Sequence, residues 1–340
     1  MTAARKLCAV SVDLDSIECY YRIHGLGEPP PGLSDIIMRR ALPRFSALFA
    51  RRGIPATLFV VGRDLELEGG GDAAEAAKAA RAQLAALAKA GHELGNHSYS
   101  HFYDLARRDR GVIRRELGRA HTLLREVMGG AGPVGFRAPG YDVSVALLDE
   151  VAAAGYLYDS SVFPAPLYYS AKAAVMAAMG VMGRWSGAVL GDPRALLAPT
   201  DPYRPHPRSP WRRGQSPLLE LPIGVTPGLR VPAIGTYLVA TPVAVRTRIL
   251  EAMRSRPVFN LECHGIDLCD AEHDGIPGEL VAKQHDLRVP LTDKLRAMEA
   301  TLDRLAPEYE FVTLKGVAQA FQRGALKGLS GSGSGAKGAA

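Results

Sequence analysis

The sequence predicts an α/β fold: a parallel sheet with covering helices, closed into a barrel rather than left open. Three observations carry this. Short β-branched runs alternate with longer helical stretches along the whole chain. Seven runs read as strands, and the alternation continues to the end. Apolar residues make up 47% of the 340 positions, enough for a large core. That composition excludes a disordered chain and a disulfide-stapled miniprotein, and α/β barrels reach this length as one domain.

In chain order, Leu7–Val12 is an apolar run and reads as the first strand. Ile17–Leu33, with Pro29, Pro30 and Pro31, reads as a loop. A helix is expected over Asp35–Arg52 and a strand over Ala56–Val61. Gly69-Gly70-Gly71 interrupts the rhythm before an Ala-rich helix, Asp72–Ala90. Helices over Gly111–Met128 and Ser144–Ala154 flank a strand at Gly135–Ala138, and Tyr156–Ser160 is the next strand. Strands at Leu218–Ile223, Val258–Cys263 and Phe311–Leu314 alternate with helices at Thr241–Arg254 and Pro290–Leu305. One domain is expected over residues 1–327, with an insertion at about 161–217. The Gly/Ser/Ala-rich residues 328–340 are expected to be a disordered tail.

The insertion has two parts. Ala171–Met182 is almost wholly apolar and reads as a helix, too short for the roughly 20 residues that a bilayer needs. It is either packed on the barrel or part of a Met-rich groove for a lipid tail. Thr200–Pro217 has no periodicity. Its Arg204, His206, Arg208, Arg212 and Arg213 surround Trp211, which suits a phosphate or an anionic membrane surface, or a solvated proline-rich loop.

Composition narrows the remaining classes. The formal net charge of +6 is mild and argues against a nucleic-acid partner. No apolar run is long enough for a transmembrane helix. Met1–Lys6 is short and polar and does not read as a secretory leader, so a cytoplasmic location is expected. Cys8 and Cys263 sit in strand-like runs, Cys19 and Cys269 in loops, and no CxxC pair occurs; reduced thiols are expected.

Four segments could carry chemistry. The first strand ends Val12-Asp13-Leu14-Asp15, and residues two apart on a strand point the same way, so both carboxylates can converge. The C-terminal end of barrel strands is where sites are built. His97 and His101, in His97-Ser98-Tyr99-Ser100-His101, are four apart; one helical turn would present both to a single metal ion. The preceding His92 and Glu93 read as structural hydrogen-bonding groups. Arg137, in Gly135-Phe136-Arg137-Ala138-Pro139-Gly140-Tyr141-Asp142, can place a guanidinium beside a carboxylate and keep it ionised. His264 closes the late strand of Leu261-Glu262-Cys263-His264.

Together these motifs resemble the polysaccharide deacetylases, also called the NodB-homology or carbohydrate esterase family 4 group, from about Leu7 to Phe321. The resemblance implies a distorted (β/α) barrel, seven-stranded in the family's usual form, and a metal-dependent N-deacetylase. Asp15, His97 and His101 would hold one divalent ion, zinc as a rule. Asp13 would be the general base toward water at the metal, with Arg137 orienting it. The Tyr141 amide would stabilise the oxyanion, with Pro139 beside it at the substrate, and His264 would be the general acid. The chain has Asp-Leu-Asp where most members have adjacent aspartates. Glu220 is the nearest candidate for the supporting Asp-x-x-Trp motif, and the final motif carries one residue more than Leu-x-His.

The implied substrate is an acetylated, or less favourably formylated, amino sugar of a glycan. Lipid linkage and peripheral contact with an anionic membrane at the inner face are further expectations from the insertion. The rivals are a hydrolase of a non-carbohydrate amide or cyclic ureide, and a catalytically silent glycan- or lipid-binding barrel. Oligomeric state is not legible.

Overall fold

The computed structural model describes residues 6–67, 71–181 and 190–326. The tail expected at 328–340 lies outside the described residues, as does Met182 at the end of the apolar insertion. Among the described residues there are ten strands: β1 (Lys6–Leu14), β2 (Ala56–Val60), β3 (Glu93–Asn96), β4 (Gly135–Phe136), β5 (Tyr158–Asp159), β6 (Pro205–His206), β7 (Ser209–Arg213), β8 (Leu219–Glu220), β9 (Val258–His264) and β10 (Tyr309–Phe311).

Eight of these form one parallel sheet, and seven of them, in the order β9-β1-β2-β3-β4-β5-β8, make a distorted barrel wall of the NodB type. Strand β10 pairs with Lys6–Cys8 at the start of β1, below the stretch of β1 that pairs with β2. Among the described residues no ladder joins β8 to β9. The seam is closed instead by Gly224 N–H donating to Asn260 O (2.9 Å) and by Asn260 Nδ2 donating to Leu221 O (3.1 Å).

Strand alternation sorts the side chains. On β1, Cys8, Val10, Val12 and Leu14 face the helices, in one core with Leu42, Phe45 and Phe49 of the helix Leu42–Ala50. Leu7 and Ala9 pack in another core with Phe59, Tyr158, Leu219, Leu221 and Val258. That inward face continues upward as Ser11 and Asp13 on β1, and as Asn260, Glu262 and His264 on β9. The barrel interior is therefore apolar at the strands' N-terminal ends and charged at their C-terminal ends. Each large aliphatic side chain in the lower part contributes about 1.5–3 kcal/mol by leaving water. The upper part spends stability to present polar groups.

The outer helices follow amphipathic spacing. Arg110–Val127 buries Ile113, Leu117, Ala120 and Leu124, and Leu291–Leu305 buries Leu291, Met298, Leu302 and Leu305. Helix Val145–Ala153 starts at Ser144, whose hydroxyl accepts from Leu147 N–H at 3.1 Å.

Several expectations are corrected. Ile17–His24 is a helix, not a loop; Ile17, Tyr20 and Tyr21 bury one face, and Gly25 ends it with φ 64°. Cys19 therefore sits in a helix. Leu314 opens the helix Leu314–Gln322 instead of ending a strand. Segment 200–217 contains the hairpin β6–β7, and Trp211 is buried under the Arg194 guanidinium, 4.1 Å from the ring centroid. Arg204 donates to Ser216 O and Pro217 O, while His206, Arg208, Arg212 and Arg213 are exposed. All four cysteines are free and buried. Among the described residues, no helix is long and apolar enough to cross a membrane.

Candidate active site

Asp13 lies in β1 and Asp15 just beyond its end; both are buried. His97 and His101 follow β3. The expected helical turn between them is absent: Ser98 (φ 62°) and His101 (φ 54°) are left-handed, and the segment is a loop. Two such non-glycine residues in four positions mark a strained backbone held by its surroundings. The hold is visible. Asn96 Oδ1 accepts from Ser98 N–H (2.8 Å), and Glu116 accepts from both Ser100 N–H (2.6 Å) and Ser100 Oγ (2.9 Å). The loop brings the rings within 4.8 Å of each other, centroid to centroid.

Both Nε2 atoms, of His97 and of His101, lie 3.1 Å from Asp15 Oδ1. Asp15 Oδ1 and His101 Nε2 are buried without an aligned hydrogen bond. His97 Nδ1 is 2.8 Å from Arg137 O, so it carries the proton and leaves Nε2 as a lone pair. Two imidazole nitrogens and one carboxylate oxygen, mutually within 4.8 Å, fit the donor set of a divalent cation with open positions. Burial works against charge on Asp15, but His101 and His97 outweigh it and hold the carboxyl well below its usual range. Burial likewise opposes charge on His101, and Asp15 pushes its proton affinity well above the ordinary value.

Arg137 is fully buried behind this cluster. Its Nη1 donates to Asp13 Oδ1 at 2.6 Å, Nη2 to Ser11 Oγ (3.0 Å) and Ser160 Oγ (2.9 Å), and Nε to Ser160 O (2.8 Å). The guanidinium stacks 4.2 Å from the centroid of Phe59. Asp13 Oδ1 is thus fixed, while Oδ2 is buried without a partner, 3.9 Å from His97 Nε2.

His264 stands on the opposite side of Asp13, its register partner on β9. Its Nδ1 is 3.1 Å from Glu262 Oε1 and its Nε2 3.0 Å from the Tyr141 hydroxyl. Burial lowers the His264 pKa, but Glu262, Asp15, Asp267 and Asp13 together push it up to about 9. Pro139 opens a one-turn 3-10 helix, Pro139–Tyr141. The Tyr141 amide, expected at an oxyanion, donates to Ala138 O at 3.2 Å. Its hydroxyl instead reaches Glu262 Oε1 at 2.9 Å.

Glu262 is the group the motif reading passed over. The available signal was its position two residues before His264 on one strand, which puts both on the inward face. Glu220 does not touch the cluster. It pairs with Asp159, whose carboxylate accepts from Ser161 Oγ (2.7 Å); that hydroxyl accepts from Ala138 N–H (2.7 Å) and braces the turn after Arg137. His92 and Glu93 are structural, as expected. His92 Nδ1 accepts from Ala56 N–H (3.1 Å), and Glu93 accepts from Thr57 (2.9 Å), Tyr158 (2.9 Å) and Lys315 N–H (2.8 Å).

Carboxylates and imidazoles thus gather at the C-terminal mouth of the barrel strands, a donor set that could hold a divalent cation. Residues 34–158 match the family model described as polysaccharide deacetylase. The chain is 26% identical over 160 residues to the peptidoglycan deacetylase of Helicobacter pylori, covering 46% of this chain and 49% of that protein. The chain thus spans about half the length of that curated relative. In fold it is similar to a protein described as a polysaccharide deacetylase from Mycobacterium smegmatis (TM-score 0.57, 17% identity, 96% of this chain and 93% of that one). A second, from Pseudomonas aeruginosa PAO1, gives TM-score 0.55 at 16% identity over 94% and 92% of the two chains. The allantoinase PuuE shares the fold at TM-score 0.52 and 15% identity, over 94% and 91%.

Proposed function

We propose that the protein is a metal-dependent amide hydrolase that removes an acetyl group from the nitrogen of an amino sugar in a glycan. One observation carries the reading: an Arg137-fixed aspartate with a free oxygen, Asp13 Oδ2, stands beside the convergent Asp15, His97 and His101. Asp15, His97 and His101 would hold the cation, which when bound supplies Lewis acidity toward water and the acyl oxygen.

The chain's own residues do the rest. Asp13 Oδ2 takes a proton from the attacking water, while Arg137 keeps that carboxylate ionised and turned toward it. His264 gives a proton to the nitrogen as the C–N bond breaks, so amide and water become acetate and a protonated amine. Pro139 and the Tyr141 backbone form the adjoining wall. A cleft of about 420 Å³, lined by Ser16, Glu18, Asp64, Tyr99 and Arg119 among others, includes chain neighbours of Asp15 and of the two histidines but none of the site residues themselves.

The test is acetate release from N-acetylglucosamine oligomers by the zinc-loaded protein. Asp13→Asn should cost about 10²–10⁴-fold in kcat. Equal rates for the variant and the wild type would overturn the assignment. Consumption of allantoin without acetate release from any N-acetylated sugar would move the activity to a cyclic ureide.

A further inference from the structure

We propose that Tyr156, backed by His121, is a positioning residue for the candidate metal ligands: through Asn96 it fixes the left-handed loop that carries His97 and His101. The inference rests on Asp15, His97 and His101 holding the cation.

The argument is a donor count. Asn96 is fully buried at the end of β3. Its amide has two backbone partners: Ser98 N–H donates to Oδ1 at 2.8 Å, and Nδ2 donates to Leu117 O at 3.0 Å. A backbone N–H only donates and a carbonyl only accepts, so the amide has one orientation. The second Nδ2 proton goes to the Tyr156 hydroxyl oxygen at 2.6 Å. The hydroxyl's own proton then goes to His121 Nδ1, 3.1 Å away, which accepts it. At the other end, Ser98 Oγ accepts from His101 N–H at 3.1 Å. One run of hydrogen bonds therefore joins His121 to the backbone of a candidate metal ligand.

The surroundings agree with the count. Burial, with Arg125 adding to it, lowers the His121 pKa, which keeps the ring neutral and Nδ1 an acceptor. The His121 ring meets Tyr156 edge-on at 5.7 Å between centroids. Tyr156 in turn meets Phe136, the register partner of Asn96 on β4, at 6.4 Å. The loop needs such a hold, because Ser98 (φ 62°) and His101 (φ 54°) both sit in left-handed backbone. The helix Arg110–Val127 supplies Leu117 O and His121 as well as Glu116, which braces Ser100, so a single helix sets the loop. The far end of the run borders a surface cavity of about 470 Å³, lined by His121, Tyr156, Arg114 and Glu150 among others. Without the Tyr156 hydroxyl, one Asn96 N–H is buried and unpaired; the amide then turns to find a partner, and the Ser98 turn moves with it.

The test measures zinc affinity of the full chain, by competition with a chromophoric chelator, for wild type, Tyr156→Phe, His121→Leu and His121→Gln. Tyr156→Phe should bind zinc about 10–100-fold more weakly. His121→Leu should show a smaller loss, and His121→Gln, whose side-chain carbonyl can accept the tyrosine proton, should return close to wild type. The visible absorption bands of cobalt-loaded Tyr156→Phe should shift, since its two imidazoles are turned. A merely structural Tyr156 would lower the urea midpoint of the metal-free protein and leave zinc affinity and the cobalt spectrum at wild-type values; that result would overturn the proposal. If Tyr156→Phe does not fold, the two His121 variants decide, and equal zinc affinity in both would overturn it. A wild type that binds no zinc would sink the metal centre and this proposal with it, whereas tight binding unchanged in every variant would sink the positioning role alone.

Discussion

Replacing Arg137 with Met should remove the charge that holds the site together. The guanidinium is fully buried, makes four hydrogen bonds and stacks on Phe59. Met keeps much of the volume, so the loss is mainly electrostatic. Removing one partner of a buried ion pair leaves the other desolvated and uncompensated, at a cost of about 3–5 kcal/mol. Against a total stability of about 5–15 kcal/mol, the variant should fold with a markedly lower urea midpoint. The control is Asp13→Asn in the same background. Asn removes the stranded charge, so the double variant should be more stable than the sum of the single changes by about 1–3 kcal/mol. Equilibrium urea unfolding of the four proteins measures all terms. A single-variant loss under about 1 kcal/mol, or strict additivity in the cycle, would show that Arg137 and Asp13 are not coupled in the way their 2.6 Å contact requires.

Three further outcomes are expected. Zinc or cobalt affinity, followed by calorimetry, should rise from about pH 6 to about pH 8, because His101, whose proton affinity Asp15 raises, must lose its proton to bind metal; His101→Ala should abolish stoichiometric binding. Burial pushes up the carboxyl pKa of both Asp159 and Glu220, and their mutual repulsion adds to the rise at Glu220. A raised carboxyl contributes stability at low pH that is lost as pH climbs through its folded pKa, so the Tm of Glu220→Gln relative to wild type should increase between about pH 5 and about pH 8. Gly95→Ala would set a Cβ 2.5 Å from Phe59 Cδ1 and drive that ring toward Arg137; a loss of about 1–3 kcal/mol is expected in thermal unfolding, and a neutral result would mean that the ring has room to move.

What was legible in the sequence divides along a physical line. Asp13, Asp15, Arg137 and His264 could be read because each follows or ends an apolar run, and such a run puts its last residues at the barrel mouth. Strand β3 was not read: Glu93-Leu94-Gly95-Asn96 has no β-branched residue, and its strand character comes from pairing with β2. The same tertiary override misplaced the histidines. A spacing of four suggests a helical turn, yet Ser98 and His101 take left-handed backbone because Asn96 and Glu116 hold the loop. The helix at Ile17–His24 was hidden by the prolines that follow it, although Ile17, Tyr20 and Tyr21 already showed helical spacing.

Glu262 marks the sharper limit. Its inward direction follows from strand parity with His264, but its chemistry depends on facts between distant elements. The register sets Ser11 opposite Glu262 and Asp13 opposite His264, and a left-handed tyrosine over a hundred residues away supplies the second donor. Parity says which side chains share a face; it does not say which carboxylate receives the guanidinium and which the imidazolium. Here the interior sends Arg137 to Asp13 and leaves Glu262 to His264. That division gives one carboxylate a free oxygen beside the candidate metal cluster and ties the other to a proton donor, so base and acid are kept apart by their partners rather than by residue type.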